Sequence, residues 1–91
     1  MSKRPLYQVQ IENKALKQLK KMDRFQARII YDWIMKNLNH TDDPRKFGKE
    51  LTSNRSGEWR YRVGDYRILA IITDHAVLIS VFEIGHRKDV Y

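Results

Sequence analysis

EWRYRVGDYRILAIIT, residues 58 to 73, decides the fold. Two runs rich in β-branched and aromatic residues flank Gly64-Asp65, a dipeptide suited to a two-residue hairpin loop. Closing the loop there pairs Val63 with Tyr66, and the register then runs back in step. Arg62 faces Arg67, Tyr61 faces Ile68, Arg60 faces Leu69 and Trp59 faces Ala70. Side chains alternate along a strand, so Trp59, Tyr61, Val63, Tyr66, Ile68, Ala70 and Ile72 share one apolar face. Arg60, Arg62 and Arg67 share the other. The apolar face calls for a cover of helices.

Downstream, AVLISVFEI (76–84) reads as a third strand, with Asp74-His75 expected as a second two-residue turn. That turn would set Phe82 opposite Arg67, on the arginine face, followed by Ile84. Upstream, YQVQI (7–11) alternates apolar and polar residues and reads as a short strand. From Asn13 on, Ala15, Leu16, Leu19 and Met22 recur at helical spacing, with Lys14, Lys17 and Lys21 on the other side. Asp23 can cap a second helix whose stripe is Ala27, Ile30, Trp33, Ile34 and Leu38, with Asn39 suited to its end. HTDDPRKFGKELTSNRSG (40–57) is a polar connection, with one helical turn expected after Pro44. The order is β-α-α-β-β-β. It predicts an α+β fold, a two-layer sandwich with two helices packed on an antiparallel sheet, as one domain over residues 1–91.

Composition narrows the function. The 91-residue chain has 18 Lys and Arg against 11 Asp and Glu, a net charge of +7, which favours polyanionic partners such as RNA, DNA or an acidic protein. With no cysteine, neither disulfides nor a thiolate metal site is available, and His40, His75 and His86 are too scattered to suggest a metal centre. No signal peptide or membrane-length apolar run is evident, so a cytoplasmic protein is expected.

Two arginines directly across a sheet repel, so three on one patch need a reason. Charge balance by Glu58, Asp65 or Asp89 on a wet sheet face is the structural explanation. The functional one is an anion site, because guanidinium forks match phosphate oxygens and a sheet holds them rigidly. Phe82 beside them would stack a base or simply pack. The chain closes with EIGHRKDVY (83–91), where Gly85 allows His86, Arg87 and Tyr91 to turn back toward the arginines. No carboxylate pair, Ser–His–Asp set or glycine-rich phosphate loop presents itself.

WRYRVGDYRIL followed by EIGHRKDVY resembles the RelE/ParE superfamily of toxin–antitoxin systems, in particular its RelE branch of messenger-RNA interferases. The resemblance spans nearly the whole chain, because a helix pair before a three-stranded meander is also that family's arrangement. It implies an endoribonuclease that enters the ribosomal A site, cuts messenger RNA, and is held inactive by a cognate antitoxin, without metal or other cofactor. Carried over by position, the strand pair falls on Arg60 and Arg62, the arginine after the turn on Arg67, the tail arginine on Arg87 and the terminal tyrosine on Tyr91. In several relatives the strand pair is lysine. Here both are arginine, which stays charged, so their role is stabilising the transition state rather than moving protons.

The chemistry implied is attack of the RNA's own 2′-hydroxyl on the adjacent phosphate, leaving a 2′,3′-cyclic phosphate. Tyr91 or His86 would take the proton, Arg62 and Arg67 would hold the phosphate, and Arg87 would stabilise the leaving side. Arg60, Phe82 and Lys88 would bind the substrate. Two other classes remain: a ParE-like inhibitor of DNA gyrase with no nuclease activity, and a basic RNA- or ribosome-binding module without chemistry.

Overall fold

The computed structural model describes residues 4–50 and 57–86. Strand β1 (Gln8–Ile11) leads into helices α1 (Asn13–Lys21) and α2 (Arg24–Asn37). After a polar connection come a two-residue strand β2 (Lys49–Glu50), then β3 (Glu58–Val63), β4 (Tyr66–Thr73) and β5 (Leu78–His86). The five strands form one sheet in the order β1-β5-β4-β3-β2. All pairings are antiparallel except β1 with β5, which is parallel, and the helix pair carries the chain from β1 at one edge of the sheet to β2 at the other.

The hairpin forms as the dipeptide dictates. Val63 pairs with Tyr66 and Arg62 with Arg67. Gly64 takes φ 60° while Asp65 does not turn positive, the pattern of a type II′ turn. The face carrying Tyr61, Ile68, Ala70 and Ile72 is sealed by Ala15, Leu19, Ile30, Ile34 and Leu38 in one core. Asp23 caps α2 by accepting a hydrogen bond from the Gln26 N–H at 3.1 Å. Leu16, expected on the buried stripe, is instead 38 % exposed because only Ala15 and Leu19 of α1 reach the core.

Three local expectations change. Pro44 starts no helix; a turn closed by Lys46 N–H on the Asp43 carbonyl (3.2 Å) leads straight to β2. The left-handed position after α2 falls on His40 (φ 68°), while the Asn39 side chain accepts from the Val9 N–H (3.3 Å) along the outer edge of β1. The second turn is not a dipeptide. Asp74–Ala76 form a 3₁₀ turn, Val77 follows in the left-handed region (φ 51°), and β5 begins only at Leu78.

That longer turn moves the register. Thr73 pairs with Leu78, and a bulge between Leu69 and Ala70 shifts the lower half of β5 again. Gly85, not Phe82, therefore lies opposite Arg67, and Phe82 falls at the bulge without a Cα partner in the β4–β5 register. Past Val81, β1 no longer covers β5, and α1 takes over the edge. Gln18 Oε1 accepts the Ile84 N–H at 2.7 Å, and Lys14 pairs with Glu83 at 3.0 Å.

Candidate nucleic-acid interface

The outer face of the hairpin opens into a pocket of about 200 Å³ lined by Gly48, Lys49, Arg60, Arg62 and Arg67. Three strands build it. Arg60 and Arg62 alternate outward from β3, Arg67 stands opposite Arg62 on β4, and β2 sets Lys49 opposite Arg60. Arg60 and Arg67 are half-buried, whereas Lys49 and Arg62 are exposed. The Nε of Arg67 lies below the solvent-accessible surface. Arg62 Nε donates to the Gly64 carbonyl at 3.4 Å, leaning the side chain over the hairpin loop. Among the described residues, four cationic side chains and no carboxylate line this pocket, an arrangement that suits a phosphate.

Lys49 is a lining residue that no local sequence pattern singles out. Its placement rests on the connection between α2 and β2, which is fixed at several points. Tyr61 O–H donates to the Pro44 carbonyl (2.7 Å), and Trp59 Nε1–H donates to the Phe47 carbonyl (2.6 Å). Arg45 forks onto Asp74, with both bonds at 3.1 Å, and lies over the Trp59 ring at 5.9 Å. Tyr7 O–H donates to the same Asp74 at 2.6 Å. These bonds hold the Asp74 carboxyl below its ordinary range, the one from Arg45 most strongly and that from Tyr7 next. The Tyr7 phenol is correspondingly pushed up, chiefly by its bond to Asp74. Burial pushes the Tyr61 phenol up as well, so it stays a neutral donor.

Gly48 completes the approach. With φ 79°, it passes so close to β3 that an added Cβ would collide with the Arg60 carbonyl oxygen. The next residue, Lys49, is thereby laid onto the edge of the arginine face.

Of the residues expected from sequence, Arg60, Arg62 and Arg67 meet at this pocket. Phe82 does not line it, for the register reason given above. His86 pairs with Tyr66, on the helix-facing side of the sheet, and its ring meets the Tyr66 ring edge-on at 5.5 Å. Glu58, offered as a charge balance, is the one charged residue buried among the described residues, yet it does not line the pocket. Arg87, Lys88 and Tyr91 lie outside the described residues. Among the described residues no group of three or more His, Asp or Glu converges as metal ligands.

With this geometry in place, residues 9–91 match the model of the ParE toxin of type II toxin–antitoxin systems. The chain belongs to the ParE toxin family. It is thus a toxin of a type II toxin–antitoxin system, within the RelE/ParE superfamily that its arginine motifs resemble. Solved structures carry the same fold. The toxin–antitoxin complex RelBE2 of Mycobacterium tuberculosis aligns at TM-score 0.81 and 25 % identity, over 98 % of this toxin and 100 % of that chain. A free mutant of Escherichia coli RelE aligns at 0.74 and 17 %, covering 93 % and 87 % of the two chains. An archaeal RelE–RelB complex from Pyrococcus horikoshii follows at 0.66 and 20 %, covering 93 % and 99 %. No curated protein matches the toxin significantly. No helix among the described residues is long and apolar enough to cross a membrane.

Proposed function

We propose that the toxin is an endoribonuclease that cuts messenger RNA in the ribosomal A site and so stops translation. The observation that carries this is the pocket of Lys49, Arg60, Arg62 and Arg67, four cations from three strands around one anion-sized space. The 2′-hydroxyl of the RNA attacks the adjacent phosphate, so the nucleophile is internal and the reaction needs no metal to generate one. Arg62 and Arg67 hold the phosphate and offset charge on the phosphorane, with Arg60 orienting the chain. Arg87 stabilises the leaving side, and Lys88 adds a backbone contact.

Tyr91 or His86 takes the 2′ proton. The contact of His86 with Tyr66, on the other side of the sheet from the arginines, favours Tyr91. The site is open, and much of its rate would come from the ribosome holding the message in a reactive geometry. A cognate antitoxin silences it in the cytoplasm, by covering the basic face or displacing the tail. Several of the structural relatives are toxin–antitoxin complexes, which supports such a partner.

The family match gives a second reading its standing: a gyrase inhibitor that cuts no RNA. Mapping RNA 5′ ends after induced expression, with and without translation, separates the two. New ends confined to translated frames are expected. Intact messages accompanied by DNA damage would replace the nuclease with the gyrase inhibitor.

A further inference from the structure

The reaction proposed above needs two proton transfers. One proton must leave the attacking 2′-oxygen, and one must reach the departing 5′-oxygen, which is otherwise expelled as a costly alkoxide. The second transfer has no donor among the arginines, because a guanidinium does not give up its proton at any pH a protein survives. Arg60, Arg62 and Arg67 are thus electrostatic groups only. His86 sits against Tyr66 on the opposite side of the sheet. One side chain in the described lining of the pocket carries a proton it can exchange, and that is Lys49.

Its position suits the task. Lys49 stands on β2 directly across from Arg60, at the edge of the sheet, so its ammonium approaches the phosphate from the side away from β5. The residue before it is the glycine pressed against the Arg60 carbonyl, and the stretch before that is pinned by Tyr61, Trp59 and the Arg45–Asp74 fork. An exposed lysine on an ordinary loop would need no such anchoring. Three strand arginines and a neighbouring lysine together divide what one phosphoryl transfer requires: fixed charge from the arginines, a mobile proton from the lysine.

We propose that Lys49 is the general acid of this site, donating its ammonium proton to the 5′-oxygen of the leaving nucleotide. The proposal rests on the nuclease reading. As the 2′-oxygen bonds to phosphorus and the P–O5′ bond breaks, the electron pair of that bond takes the Lys49 proton. The products are a 2′,3′-cyclic phosphate and a free 5′-hydroxyl. Lys49 is left as a neutral amine and regains a proton from water, while the 2′ proton leaves through the base, so no net proton is consumed.

Lys49→Arg keeps the positive charge but cannot donate, which makes it the informative variant. Single-turnover cleavage on programmed ribosomes is measured for wild type and Lys49→Arg with two messages. One is ordinary RNA, and the other carries sulfur in place of the bridging 5′-oxygen at the cut site. A thiolate leaves without protonation. Lys49→Arg is expected to cut ordinary RNA roughly 10²-fold more slowly than wild type, the usual scale for a lost acid, and the sulfur-bridged RNA within a few fold of it. Thermal melting should be unchanged, since Lys49 is exposed on a two-residue edge strand. Equal rates for the two proteins on ordinary RNA would overturn the proposal and leave Lys49 a mere point charge. So would an equal loss on both messages, which would mean misplacement of the phosphate. Wild type that cuts neither message would overturn the nuclease reading itself, and the acid with it.

Discussion

The two faces of the β3–β4 hairpin share every backbone hydrogen bond and almost nothing else. On the helix side, Tyr61, Ile68 and Ala70 are fully buried and Ile72 nearly so. On the other side, one residue away along the same strands, Arg60, Arg62 and Arg67 crowd together, with Arg62 and Arg67 directly opposed. Like charges in that relation cost stability, and a sheet selected for stability alone would not keep them. The comparison teaches how so small a chain carries an expensive site. Stability is concentrated on one face, where apolar burial is dense, and the strained electrostatics are confined to the other. Period-two alternation is the device that separates them.

Breaking the buried face should give the largest effect. Ile34→Ala or Ile68→Ala removes a fully buried side chain from the contact between α2 and the sheet. Each should lower unfolding free energy by about 2–5 kcal/mol, read from urea denaturation. On a chain of 91 residues that is a large share of the total. A loss below about 1 kcal/mol would mean the core is less tightly packed than its burial implies.

The join between the faces is next. Gly48→Ala places a Cβ against the Arg60 carbonyl at a backbone angle that L-residues avoid, so the connection must move. A cost of about 1–3 kcal/mol is expected, together with a displaced Lys49. Chemical-shift mapping should locate the disturbance at residues 47–50 and 59–61 and leave α1 unaffected. An Ala variant as stable as wild type would show that the close approach is not needed.

The smallest effect lies at the Arg45–Asp74–Tyr7 clamp. Asp74 titrates below the ordinary carboxylate range, so its contribution is present above the unfolded value near 4 and lost as pH falls through the lowered folded value. The carboxylate is 59 % exposed, and such pairs contribute at most about 1 kcal/mol. Asp74→Asn should therefore cost a few tenths of that scale at pH 7 and flatten the acid limb of the stability curve. An unchanged slope below pH 4 would remove the clamp from the account.

What the sequence made legible follows the same division. Helical periodicity exposed the stripe of α2, and Asp23 marked its start, because both signals are local. The Gly64-Asp65 turn fixed the β3–β4 register, and with it the three arginines on one face. Asp74-His75 misled because a dipeptide does not reveal that its aspartate is engaged by Arg45 and Tyr7, partners 29 and 67 residues away. The bulge at Leu69 and Ala70 carries no mark of its own in the sequence either, and it helps to put Gly85 rather than Phe82 opposite Arg67. Strand β2, two residues long, is too short to show a period. Lys49 carries no local signal for that reason. It joins the arginine pocket because tertiary bonds from Tyr61 and Trp59 set its approach.

The central claim is that the arginine face is built for cleavage and not for the fold. Arg67→Ala, with Arg62→Ala beside it, tests this when melting temperature and single-turnover cleavage on programmed ribosomes are measured on the same preparation. Removing either partner relieves the Arg62–Arg67 repulsion, so the melting temperature should hold or rise slightly. Cleavage should fall by roughly 10²-fold or more, as when a group that stabilises transition-state charge is removed. Cleavage that survives in both variants, or that is lost only in step with a collapsed melting temperature, would contradict the account.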